Sequence, residues 1–128
     1  MGLERFHLTE DAEKQMGFAQ AVKTADTLWV SGTVSWDENL NPLHVDDIAG
    51  QMRQIYETLR NLLQRFELDM GAIVKETIFA TDIDLVLANL EVRRQFFTQS
   101  EVPASTMVEV KRLAHPDLLL EVEIVAQL

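Results

Sequence analysis

Two stretches of this chain alternate apolar and polar positions with a period of two, as half-buried strands do. In Leu118 to Ala126, Leu118, Leu120, Val122, Ile124 and Ala126 make one wholly apolar face. Leu119, Glu121, Glu123 and Val125 make the other, which is apolar but carries two carboxylates. In Pro103 to Val110 a proline leads into a strand that begins at Ser105. Proline is tolerated there because a first strand residue need not donate to the ladder. Ser105, Met107 and Glu109 then point one way, and Thr106, Val108 and Val110 the other. Paired strands of this kind bury one sheet face in the monomer core. The other face is too apolar for open water and too acidic for a dry core. It reads as a subunit interface with a polar cleft in it.

The helical period is clearest after Asp46 and Asp47, either of which supplies an N-cap. Ile48, Met52, Ile55, Leu59, Leu62, Leu63 and Phe66 follow it, and this stripe needs the apolar sheet face as its partner. Upstream, Arg5 to Leu8 reads as a short strand, Thr9 to Gln15 as a polar turn, and Phe18 to Val22 and Thr27 to Ser31 as strands joined at Lys23 to Asp26. Gly32 permits a bulge or a close backbone approach. Trp36 to Pro42 reads as a loop. Downstream, Gly71 ends a turn, Ala72 to Thr81 is rich in β-branched and aromatic residues and reads as a strand, and Asp84 caps a second helix, Leu85 to Phe97. Thr98 to Val102 is a loop, and a hairpin turn at His115, Pro116 and Asp117 joins the last two strands. The predicted order is β-β-β-α-β-α-β-β, an α+β mixed sheet with two helices on one face.

Composition narrows the function classes. With 128 residues the chain makes one domain, residues 1–128, large enough for a real core. Its net charge of -10 repels phosphate backbones, which argues against nucleic acid as a partner. The adjacent basic residues Arg93, Arg94, Lys111 and Arg112 read as solvated surface. Absence of cysteine removes thiol chemistry and disulfides and fits a cytoplasmic protein. No basic-then-apolar signal segment and no membrane-length apolar run are seen, so no membrane association is expected.

Few residues offer chemistry. Glu121 and Glu123 share a strand face, about 7 Å apart by strand rise. Either can position a water or act as a general base if burial raises its pKa. The plainer reading is that both are solvated or paired. Ser31, before Gly32, lacks a visible His-Asp partnership and suits a ligand or backbone hydrogen bond better than a nucleophile. Ser105 and Thr106 are ligand contacts or simply the start of a strand. His7, His44 and His115 have no metal-ligand spacing. Trp29 and Trp36 read as packing residues.

Several short pieces, in order and at their spacing, make a resemblance. They are Gln20-Ala21-Val22, Leu28 to Gly32, the helix opening near Asp46, Ile73 to Thr77 with Asp82, Phe96-Phe97, Pro103 to Val110 and Leu120 to Ala126. Over nearly its whole length the chain resembles the RidA/YjgF-like family, also called the endoribonuclease L-PSP family. That resemblance implies a chorismate-mutase-like fold and a homotrimer with a central barrel and small-molecule clefts at the subunit interfaces. It also implies hydrolysis of reactive imines and enamines to a keto acid and ammonia, with no metal or cofactor. The family's serine before glycine falls on Ser31, its water-positioning glutamate on Glu121 and its cleft tyrosine on Phe18. An asparagine falls on Leu90. The arginine that binds the substrate carboxylate falls on Ser105, which carries no charge. The resemblance thus implies a divergent, arginine-lacking branch. Its cleft would be lined by Phe18, Ser31, Ser105 and Met107, with Glu121 catalytic, and its substrates would be neutral or cationic imine- or amide-like compounds. A non-catalytic ligand-binding or regulatory trimer is the alternative, and RNA cleavage is opposed by the charge.

Overall fold

The computed structural model describes residues 2–128. Its core forms between one long helix, α2 (Ile48–Gln64), and one face of a mixed sheet. Asp47 caps α2 by accepting a hydrogen bond from the Gly50 amide at 2.9 Å. Met52, Ile55, Tyr56, Leu59, Leu62 and Leu63 are buried along one side of the helix. This is the expected stripe, with Tyr56 added in phase.

The sheet contains β1 (Glu4–Phe6), β2 (Ala21–Lys23), β3 (Thr27–Thr33), β4 (Ile73–Ala80), β5 (Ala104–Glu109) and β6 (Leu120–Gln127). Their spatial order is β1-β2-β3-β6-β4-β5. Neighbours are antiparallel except β4 and β5, which are parallel. The crossover between those two carries α3 (Ile83–Ala88) and α4 (Leu90–Arg94). Along β6, Leu120, Val122, Ile124 and Ala126 are buried, Glu121 and Val125 half-buried and Glu123 exposed. The two-faced reading of this strand therefore holds, as does the α+β class.

Four local expectations are corrected. Thr9 to Gln15 is not a turn but holds most of α1 (Glu10–Met16), which ends at Gly17 with φ of 87°. The cause is Glu13, whose buried carboxylate accepts from the amides of Leu8, Thr9 and Gln20 at 2.9, 2.7 and 3.1 Å. His7 Nδ1 lies 2.9 Å from the same group. The Phe18 to Val22 strand is confined to β2, because Ser31 holds Ala19 and Gln20 against β3 ahead of the ladder. Leu85 to Phe97 is two short helices with a break at Asn89, and Asp82 rather than Asp84 caps the first. Asn89 turns its amide onto the Leu85 carbonyl at 2.9 Å, a local bond that competes with helix continuation.

The fourth correction concerns topology. The last two strands do not form a hairpin, because β4 lies between them. The His115–Asp117 turn docks on α2 instead. Gln51, fully buried, donates to the carbonyls of His44 and Asp117 and accepts from the Leu119 amide.

Glu13→Ala leaves three amides without their acceptor. It should cost about 3 kcal/mol of unfolding free energy. Urea denaturation checks this, and a loss below ~1 kcal/mol would show that α1 is held by other contacts.

Candidate functional site

The sheet face turned away from α2 carries the residues with chemical potential. On β3 these are Trp29 and Ser31, on β6 Glu121, Glu123 and Val125, and on β4 Lys75, Thr77 and Phe79, by strand phase. Val30 pairs with Ile124 and Thr33 with Val122, so β3 carries one residue more than β6 between those pairs. This bulge at Ser31–Gly32 brings the backbone of Gly32 against Glu121. A Cβ at position 32 would overlap the Glu121 carboxylate, so only glycine admits that approach. Burial pushes the Glu121 carboxyl above the ordinary glutamate range, and the neighbouring negative charge of Glu123 adds to the rise.

A shallow recess of about 310 Å³ lies beside this pair, between Trp29, Ser31, Lys75, Thr77 and Glu123. Lys75 Nζ donates to Thr106 Oγ1 at 2.6 Å. The Ser31 hydroxyl donates to the Ala19 carbonyl at 2.6 Å, leaving its oxygen free only to accept. Trp29 is half exposed, and Phe79, Val125 and Val108 add apolar surface to the same face.

Ser105 and Met107 sit on the opposite face of the sheet. Their partners in the parallel register are Glu76 and Ile78, both buried. The Ser105 hydroxyl donates to Glu76 Oε1 at 2.8 Å. Arg93, from α4, donates to that oxygen through Nε at 2.7 Å and also through Nη2. Tyr56 donates to Glu76 Oε2 at 3.0 Å. The Arg93 guanidinium lies over the Phe97 ring, 4.8 Å from its centroid. Burial would lower the Arg93 pKa, but the bond to Glu76 and its charge outweigh this and hold it raised. Burial first, and the Glu76 charge second, push the Tyr56 phenol well above its usual value. The expectation of a solvated Arg93 is corrected here: its side chain is mostly buried and paired with Glu76, whereas Arg94 is exposed and pairs with Glu91.

One chain therefore gathers Ser31, Gly32, Glu121 and Glu123 on its open face, and Ser105 and Met107 on its helix face. Phe18, half-buried, follows α1 just ahead of β2. Leu90 opens α4 and packs at the edge of the core. The buried Glu76–Arg93–Tyr56 cluster was missed in the sequence. Its signal was present in part, since Glu76 falls in phase with Ile78 and Ala80, and Tyr56 in phase with Met52 and Leu59.

With this geometry in hand, comparisons with known proteins are specific. The sequence pattern of the family described as Endoribonuclease L-PSP matches residues 9–128. A RutC family protein of Pyrococcus horikoshii is 31% identical over 119 residues, covering 92% of this chain and 93% of that protein. The crystal structure of a YjgF/YER057c/UK114 family member from Mycobacterium tuberculosis superposes with a TM-score of 0.83 at 28% identity, over 99% of this chain and 100% of that one. A conserved Rid family protein from Yersinia pestis, of unknown function, gives 0.84 at 26% identity over the same shares.

Because the folded state raises the Glu121 pKa, it favours the protonated acid. That contribution is fully present below the unfolded value of about 4.3 and is lost as pH rises through the folded value. Glu121→Gln should therefore raise the melting temperature at neutral pH and leave it unchanged below pH ~4. A variant less stable than wild type at neutral pH would mean that the carboxylate is paired rather than desolvated.

Proposed function

The chain belongs to the endoribonuclease L-PSP family, and from that membership and the seating of Glu121 against Gly32 we propose that it is a divergent RidA-like hydrolase. It cleaves the C–N bond of a small imine, enamine or amide-like metabolite, in the cytoplasm, in clefts between the subunits of a homotrimer. The observation that carries this reading is a half-buried carboxyl whose pKa is raised by burial, at the rim of an uncovered sheet face. A raised pKa makes Glu121 a better base near neutral pH. Its carboxylate accepts a proton from a water as the water oxygen bonds to the imine carbon. The proton passes to nitrogen to give a carbinolamine; its hydroxyl proton then passes through Glu121 to the same nitrogen as the C–N bond breaks, releasing ammonia and leaving a carbonyl product. Water and side chains suffice for this sequence, so the reading calls for no cofactor.

The apolar content of the open face supports assembly. Trp29, Phe79, Val108 and Val125 form a surface that another copy of the chain would cover. Such an assembly is also the way in which Ser105, Met107 and Phe18 would come to share a cleft with Glu121 and Ser31. Substrate charge follows from the residues at hand. Glu121 and Glu123 outnumber Lys75, and the Ser105 hydroxyl is engaged by Glu76, so a neutral or cationic substrate is favoured over a carboxylate. The net charge of -10 opposes RNA as substrate. One observation favours a second reading, a non-catalytic ligand-binding or regulatory trimer: exposed Ser105 spends its hydroxyl proton on Glu76 and offers a ligand only an acceptor, with no charge to hold a substrate carboxylate.

Ammonia release from imines generated in situ separates the two. Wild type should turn over neutral imines faster than carboxylate-bearing ones, and Glu121→Ala should lose about 100-fold or more. Turnover unaffected by Glu121→Ala overturns the hydrolase. Saturable binding of an imine analogue without ammonia from any substrate establishes the binder. Light scattering at micromolar concentration should give a trimer, and a monomer would remove the cleft.

A further inference from the structure

We propose that Glu13, buried on α1, is a positioning residue for the open face: it holds the segment from Phe18 to Gln20, which fixes the Ser31–Gly32 bulge and so the seat of Glu121. Glu13 is 2% exposed, and its grip on that segment is double. Its side chain accepts from the Gln20 amide at 3.1 Å, and its backbone carbonyl from the Phe18 amide at 3.0 Å. The other carboxylate oxygen is tied to the amides of Leu8 and Thr9 at 2.9 and 2.7 Å, so the group cannot follow Gln20 if that residue moves. The segment in turn meets Ser31 on three sides. The Ser31 hydroxyl donates to the Ala19 carbonyl at 2.6 Å, and the Ser31 amide to the Gln20 carbonyl at 2.8 Å. The Ser31 carbonyl accepts from Thr33 Oγ1 at 3.1 Å, and that oxygen accepts from Gln20 Nε2 at 2.9 Å. Every polar group of Ser31 therefore answers to Ala19 or Gln20, directly or through Thr33.

A bulge is where a strand is least constrained by its ladder, because the extra residue has no partner across it. Val30 and Thr33 are in register with β6, whereas Ser31 and Gly32 between them are not. The conformation of this pair is set from the other edge of β3, by the Phe18 to Gln20 segment. Gly32 is the residue whose backbone keeps water from the Glu121 carboxyl. If Glu13 releases Gln20, the bulge relaxes and water returns to that carboxyl. The charged groups beside Glu121 on this face are Glu123 on β6 and Lys75 on β4, and β3 adds none. Neither belongs to the Glu13 network, since Glu123 is exposed and Lys75 donates to Thr106. A carboxylate that merely fastened α1 would act on global stability alone, while a positioning residue also changes a group across the sheet. In the hydrolase reading this seat is what makes Glu121 a base, and the inference rests on that reading for its functional meaning. Its test reads the carboxyl itself rather than turnover, so the two fail separately.

In protein labelled with 13C-glutamate, carbon NMR follows the Glu121 carboxyl through its titration, assigned with Glu121→Gln. Glu13→Gln keeps the shape of the side chain but sets an N–H donor where an amide needs an acceptor. It should lower the Glu121 midpoint by about 0.5 pH unit or more, toward that of a hydrated glutamate. Ser31→Ala, which removes the bond to Ala19, should lower it too. The double variant should go no further than the larger single one, because both changes act along one path. Glu10→Gln, an exposed change on the same helix, should leave the midpoint in place. If Glu13→Gln does not fold, the wild type decides. Coupling is reciprocal, so the Gln20 amide signal should shift with the Glu121 midpoint. An unmoved midpoint in folded Glu13→Gln, additive shifts in the double variant, or a Gln20 amide indifferent to that titration overturns the proposal. Wild type that releases no ammonia while these shifts appear removes the hydrolase and leaves the positioning role standing.

Discussion

The strand β6 sets the terms for the rest of the molecule. It is hydrogen-bonded along both edges, to β3 and to β4, and four of its side chains are buried in the core that α2 completes. With a side-chain period of two, seating Leu120, Val122, Ile124 and Ala126 under the helix leaves no freedom for Glu121 and Glu123. They must face the other way. A slip of one residue would bury both carboxylates and expose the whole apolar set, a cost no local rearrangement offsets. The acidic character of the open face is thus a direct product of how the core is filled.

Two devices complete the arrangement. On the open face the extra residue in β3 lets a backbone, rather than a side chain, meet Glu121, which removes water from the carboxyl without supplying a counter-charge. On the helix face the opposite solution is used. Glu76 is fully buried and its charge is met by Arg93, with Tyr56 and Ser105 filling the remaining acceptor positions. A buried carboxylate matched in charge and hydrogen-bonded on both oxygens is a tolerable core element, whereas losing one partner would leave it stranded. The same sheet therefore holds one glutamate that is neutralised by design and one that is left partly desolvated.

What could be read in the sequence follows from how far each signal extends. The α2 stripe and the β6 alternation run over many residues, and both were legible, whereas Ser105 and Met107, expected in one cleft with Glu121, lie on the opposite face of the sheet within one chain. The α1 segment is short and polar, and its stability comes from Glu13 reaching Gln20 across a turn, which no local pattern records. The helix after Asp82 looked continuous because Asn89 is compatible with either state until its side chain chooses the Leu85 carbonyl. The strong turn residues at His115 to Asp117 suggested a hairpin. Turn chemistry fixes where a chain reverses, not which strand it returns to, and β4, with three inward buried side chains at Glu76, Ile78 and Ala80, took the place between β6 and β5. For the candidate site, the shared face of Glu121 and Glu123 was legible, but the relative facing of Ser105 was not, because it depends on the register of β5 against β4, and the pairing of Glu76 with Arg93 was not, because it joins a strand to a separate short helix.

The three-way meeting of Ser105, Arg93 and Glu76 has a consequence for how such chains can diverge. Position 105 is where the family resemblance implies an arginine; here its serine donates to an oxygen that also takes Nε and Nη2 of Arg93. Removing Arg93 would leave that carboxylate without a counter-charge, held only by the neutral donors Ser105 and Tyr56. Positions 76, 93 and 105 share one hydrogen-bonded cluster, so a substitution at any of them alters the surroundings of the other two, and two such substitutions should not add.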